Sequence, residues 1–218
     1  MTIGIGQFGF GAKQHRYADA GAYFVGSNAT PGTGIISGAV TSLADTTPYI
    51  VFKNNNTVLS GTKCYLDYLR LYVTVVGIGH TLPKVAHKLD ASQSTTRYTS
   101  GGTVITPVNT NSDSSVLSAV QLYVGAITAA AAGSARLVNS HALANAIEVV
   151  YDSWVFDFGA PAHSSKTSLA DNSTTITHGY FGEPPIVVGP QEHYLFHVWA
   201  GSMSTGITFG FDMGWVEI

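Results

Sequence analysis

The chain has 218 residues, with 10 Lys and Arg against 13 Asp and Glu, a formal charge of -3, and only 11% charged residues, where an ordinary soluble domain carries about 25%. Without a clustered basic stripe this balance excludes a dedicated nucleic-acid surface, and the longest apolar runs, such as Leu71 to Ile78, are too short and too strand-like to cross a bilayer as a helix. The surface must be built from Thr, Ser, Asn, Gly and Tyr, which is not how a free monomer stays soluble, so the composition points to a protein that works assembled.

Residues 1–20 open the chain as a unit of their own. Ile3-Gly4-Ile5-Gly6-Gln7-Phe8-Gly9-Phe10-Gly11 sets glycine between apolar side chains and then gives way to Lys13, His15 and Arg16. Glycine makes such a stretch costly to order alone, whereas Ile and Phe favour burial. An extended arm that docks on a neighbour through Ile3, Ile5, Phe8, Phe10, Lys13 and Arg16 satisfies both tendencies; a first strand of the same domain is the competing reading. The formal match of Gly4, Gly6 and Gly9 to a dinucleotide fingerprint lacks the strand that must precede it. The start has neither the basic nor the continuous apolar region of a secretory signal. The single cysteine, Cys64, supports neither an intrachain disulfide nor a paired metal motif. Both features lead us to expect synthesis inside the cell. Sequons at Asn28, Asn55 and Asn172 are what chance supplies in a chain so rich in Asn, Ser and Thr.

From residue 21 to 218 the pattern is that of one all-β domain, a jelly-roll-like antiparallel sandwich. β-Branched and aromatic runs predict strands at Tyr49 to Phe52, Tyr65 to Ile78, Thr103 to Val108, Val116 to Ile127, Ile147 to Phe158, Thr174 to Phe181, Ile186 to Val188 and Tyr194 to Trp199. The clearest period of two comes last, with Ile207, Phe209, Phe211, Met213 and Trp215 on one face. Turn-forming clusters separate the runs, among them Asn54-Asn55-Asn56, Ser100-Gly101-Gly102 and Gly182-Glu183-Pro184-Pro185. Only Ala126 to Ala132 and Ser140 to Ile147, with Ser140 as a cap, have helical character, and the first reads better as a strand end and loop.

In the second run, strict alternation puts Tyr65 on one face and Tyr68 and Tyr72 on the other, which predicts a strand covered on both sides. These three tyrosines are the candidate oligomer interface, since tyrosine combines contact area with a hydrogen-bonding tip; an ordinary sandwich strand with its outer rings beside Asp67 or Arg70 is the alternative. His193 and His197 flank Tyr194-Leu195-Phe196, and residues four apart on a strand share a face. They are therefore candidate metal ligands, with Glu192 or His178 as a neighbour. Pro190-Gln191-Glu192-His193 resembles one half of a cupin metal site in part, but the other half, His-x-His followed by Glu, is missing, and structural packing of the two rings is the favoured reading.

Nothing in the chain forms a nucleophile elbow. Asp152, Asp157, Glu183, Glu192, Asp212 and Glu217 supply carboxylates of the kind glycosidases pair, without a spacing that singles out two. No catalytic residue and no cofactor is expected.

The closing segment runs Pro184-Pro185-Ile186-Val187-Val188-Gly189-Pro190-Gln191-Glu192, then His193-Tyr194-Leu195-Phe196-His197-Val198-Trp199-Ala200, then Phe209-Gly210-Phe211-Asp212-Met213-Gly214-Trp215-Val216-Glu217. It resembles the closing hairpin of virion structural proteins of tailed bacteriophages, particularly β-sandwich capsid decoration (cement) proteins. The resemblance is one of residue types and is confined to this segment. It implies a non-enzymatic homotrimer, made in the host cytoplasm and seated on the virion capsid, with the major capsid protein as its partner. A trimeric head- or tail-fibre module that binds host-surface glycans through Tyr and Trp is a second reading, and a cupin-like metal-dependent enzyme using His193 and His197 a third.

Overall fold

The computed structural model describes residues 10–218 except 31, 94–95, 132–133, 144–147, 162–163 and 172–173. Its elements are α1 (Phe10–Asp19), β1 (Tyr23–Ser27), β2 (Ile35–Ile36), β3 (Ile50–Asn54), a 3-10 turn (Val58–Ser60), β4 (Cys64–Val75), β5 (Lys84–Asp90), β6 (Tyr98–Ile105), β7 (Val108–Asn109), β8 (Val120–Ala129), β9 (Ala135–Ala142), β10 (Ser153–Phe158), β11 (Ser164–Asp171), β12 (Thr174–Glu183), β13 (Val187–Val188), β14 (His193–Trp199) and β15 (Thr208–Glu217).

The strands form a sandwich of two sheets. The nine-stranded sheet runs β11-β12-β10-β4-β15-β1-β7, with β13 added to β4 and β2 to β15; the six-stranded sheet runs β6-β8-β3-β14-β5-β9. Pairing is antiparallel except between β10 and β12, which run parallel. The period-two pattern of β15 explains its central place, because Phe209, Phe211, Met213 and Trp215 are all buried between the sheets. Trp215 meets Phe52 of the facing sheet edge-on at 5.2 Å, and Trp154 from β10 meets Phe209 at 6.4 Å. Both indole nitrogens find acceptors, Trp154 in the Leu143 carbonyl at 2.8 Å and Trp215 in Glu217 Oε1 at 3.0 Å. Burying such rings with their polar tips satisfied is among the largest apolar contributions a core receives. Cys64 is buried in the same core and free of any disulfide.

Two local expectations need correction. Phe10–Asp19 is a helix rather than an extended segment, and it docks on the sandwich through Gln14, whose amide donates to Asp67 Oδ2 at 2.6 Å. Ser140 does not cap a helix: Ser140, His141 and Ala142 close strand β9, because pairing with β5 outweighs the local helical preference there, while residues 144–147 of the expected helical segment lie outside the described residues. Ala126 to Ala129 lies in β8, as the strand reading has it.

A third correction concerns the tyrosines. β4 has one residue more than β15 between the pairs Tyr68↔Gly214 and Leu66↔Trp215, which makes a β-bulge at Asp67. A bulge puts two successive side chains on one side of the strand. With Leu66 and Leu69 both in the core, Tyr65, Asp67, Tyr68, Arg70 and Tyr72 all face outward, so Tyr65 shares the face of the other two; the second sheet covers the opposite face, while α1 meets the outward face at Asp67 through Gln14. Tyr68 and Tyr72 lie across Gly214 and Gly210 of β15, where an added Cβ would stand 2.6 Å from Tyr68 Cε1 and 2.0 Å from Tyr72 Cζ.

Candidate metal centre

Where the outer strands of the two sheets face each other, three metal-binding side chains converge. His87 comes from β5, His141 from the neighbouring edge strand β9, and Glu183 from the last position of β12 in the opposite sheet. One ligand atom from each lies within 4.8 Å of the others. The alternation of β5 produces the first contribution: Val85, His87 and Leu89 point into the sandwich, and Ala86, Lys88 and Asp90 point away.

His87 is fully buried and ringed by aromatic side chains, with Phe156 and Phe196 centroids each 5.0 Å away and Phe158 at 5.7 Å. Its Nδ1 sits 2.8 Å from the Tyr194 hydroxyl. Its Nε2 has no hydrogen-bond partner and points toward Glu183 Oε1 at 3.8 Å. His141 Nε2 stands 2.5 Å from the same oxygen. The second carboxylate oxygen accepts from the Asn139 amide at 3.0 Å, which holds the plane of the carboxylate. Glu183 and His87 have no side-chain exposure, whereas His141 keeps 18% on the open edge.

This enclosure sets the protonation states. Burial lowers the His87 imidazole to about 4, against the opposing pull of Glu183, so the ring is neutral at pH 7. Burial acts to raise the Glu183 carboxyl, but the bond from His141, the electrostatic pull of the His87 and His141 imidazoles and the bond from Asn139 together outweigh it and hold the group below its ordinary value. The cluster therefore presents a neutral imidazole with an unused nitrogen beside an ionised carboxylate, which is the donor state metal binding requires.

The residues marked out in the sequence lie elsewhere. His193 and His197 are buried on the outer face of the six-stranded sheet, away from the sandwich interior, and among the described residues they join no set of three ligands. His178 is exposed on the outer face of the nine-stranded sheet, its Nδ1 2.6 Å from Ser153 Oγ, and Glu192 turns back to accept from the Gly189 amide at 2.9 Å. Neither completes a site with the pair. The other carboxylates are occupied separately: Asp152 with the amides of Val149 and Thr177, Asp157 with Tyr180, Asp212 with Arg70, and Glu217 with Ser118 and Trp215. Of the arm residues, Ile3, Ile5 and Phe8 lie outside the described residues, and Phe10, Lys13 and Arg16 belong to α1. The sequence reading missed His87 and His141 because it missed their strands; the signal available was the alternation Val85, His87, Leu89. Comparison with protein-family models, with curated proteins and with solved structures found no match to this chain, so the two-sheet sandwich and its buried histidine–glutamate cluster stand as the structural description of the protein.

Proposed function

We propose that the protein is a non-enzymatic structural component of a virion, a homotrimeric decoration protein that binds the major capsid protein and stabilises the shell of a tailed phage. The observation that carries this reading is the apolar end of the sandwich. Leu59 is 98% exposed and Leu117 88%, and Val58, Val116 and Ile218 are more than half exposed. The loops that bear them are tied together at this end, since Ile218 and Lys63 exchange backbone hydrogen bonds and Ser118 bonds Glu217. Side chains of this kind, clustered on a chain with few charges to offset them, mark a surface that meets another protein. We take the major capsid protein as that partner on the closing segment's resemblance to decoration proteins.

Tyr65, Tyr68 and Tyr72 remain the proposed contact between subunits, now as one outward face. The experiment is direct: purified protein is added to capsids that lack it, and bound copies are counted by sedimentation and by cryo-EM. Saturable binding at many symmetry-related positions supports decoration. Binding at only a few positions supports a fibre, and no binding overturns the reading.

A further inference from the structure

We propose that His87, His141 and Glu183 form a binding site for one zinc-class divalent transition-metal ion, which clips the edge of the nine-stranded sheet to the edge of the six-stranded sheet. The site is independent of the capsid reading and uses residues that reading does not invoke.

Three observations carry it. The first is convergence: two imidazole nitrogens aim at one carboxylate oxygen from different strands, and the trio includes members of both sheets. The second is the unsatisfied atom. His87 Nε2 is wholly buried, aimed into the cluster and without a hydrogen-bond partner, which is a rare state for a buried polar group and one that a bound ion resolves. The third is the support behind the ligands. Tyr194 holds the far nitrogen of His87 and Asn139 holds the far oxygen of Glu183, the arrangement by which outer groups orient metal ligands.

The distances suit a small ion. Bonds of about 2.0–2.1 Å in tetrahedral geometry put ligand atoms roughly 3.3 Å apart. Glu183 Oε1 now lies 2.5 Å from one ring nitrogen and 3.8 Å from the other, so a shift of less than about 1 Å in each side chain opens the required space. Two imidazoles with one carboxylate favour zinc and its neighbours over calcium or magnesium, which select all-oxygen sets. His141 keeps the trio in touch with solvent at the sheet edge, so a water is the fourth ligand the proposal requires.

The test uses the full-length protein purified with and without added Zn2+, followed by metal analysis, thermal unfolding and Co2+ substitution. The expected results are about one zinc retained per chain and visible absorption typical of four-coordinate Co2+. The unfolding temperature should rise with zinc and fall back with EDTA. His141→Ala on the partly exposed edge strand and Glu183→Gln should each abolish retention and the cobalt spectrum, with folding checked by circular dichroism. Asn139→Ala, which removes only support, should weaken zinc affinity about tenfold or more. A folded wild-type protein that retains no zinc, shows no thermal shift and gives no cobalt bands overturns the proposal and leaves a hydrogen-bonded trio. Equal metal content in wild type and both ligand variants overturns it as well, by placing the ion elsewhere.

Discussion

His193 and His197 sit among charges that do not neutralise their burial. His193 faces Asp90, Lys53 and Arg97, and His197 faces Lys88, Asp45 and Arg97; burial dominates in both and lowers each imidazole to about 4. Neither nitrogen of His193, nor Nε2 of His197, has a hydrogen-bond partner. The unfolded chain therefore takes up protons first as pH falls. Stability is complete above about pH 6.5 and is lost progressively toward pH 4, by on the order of 3 kcal/mol for each ring at full titration. Urea unfolding at pH 7.5 and pH 5 should show this loss in the wild type and a smaller one in the double variant His193→Asn/His197→Asn, which should still bind capsids. An identical pH slope in both proteins would remove these rings as its cause. Gly210 makes a second prediction at the same scale. In Gly210→Ala the new methyl group strikes the tip of the Tyr72 ring, which is partly exposed and can swing away, so the fold should survive at a cost of roughly 1–2 kcal/mol. The displaced ring should weaken self-association, and light scattering of the folded variant measures that directly.

Strands were legible in proportion to how strongly their two faces differ. β15 alternates large apolar residues with small or polar ones and could be read directly, as could β3, β8 and β14. β5, β9 and β11 could not, because Lys84, Lys88 and Asp90, or Arg136, Asn139 and Ser140, break the apolar pattern on strands at or near the sheet edges. The candidate metal centre draws two of its three ligands from those strands, and Glu183 stood in what looked like a turn before two prolines. His193 and His197, by contrast, lie on a strand whose apolar pattern is plain in the sequence. The bulge at Asp67 is a different kind of failure: period counting across it assigns every residue on one side to the wrong face. Helix α1 precedes all the strands and is anchored by Gln14 to Asp67, which also accepts from the Tyr23 hydroxyl at 2.6 Å. Deleting residues 2–16 should leave the sandwich, whose strands all lie downstream, folded and oligomeric, and if this segment anchors the protein beside the apolar end it should weaken attachment to undecorated capsids. Unchanged capsid affinity in the truncated protein would exclude the arm as anchor, and failure to fold would make it part of the domain.

At the scale of the molecule, a chain with 11% charged residues and an outward face bearing Tyr65, Tyr68 and Tyr72 is expected to be a trimer, since closed cyclic assembly buries such surfaces without leaving free ends. Light scattering at micromolar concentration checks this; a monodisperse monomer would contradict it. The parallel pairing of β10 with β12 has a consequence for the order in which the molecule comes together. β12 lies between β10 and β11, so the chain must leave β10, reach the sheet edge and turn back before the gap is filled. β11 and β12 are neighbours in sequence and can zip up early as a hairpin, whereas the β10 seam closes only when that hairpin arrives as a unit. Glu183 travels on it. In refolding, β5 and β9 should gain amide protection before β12 joins β10. In the native protein the hairpin should exchange its amides at a lower opening free energy than β4 and β15, making its departure the first step of unfolding and the point at which a bound ion would be released.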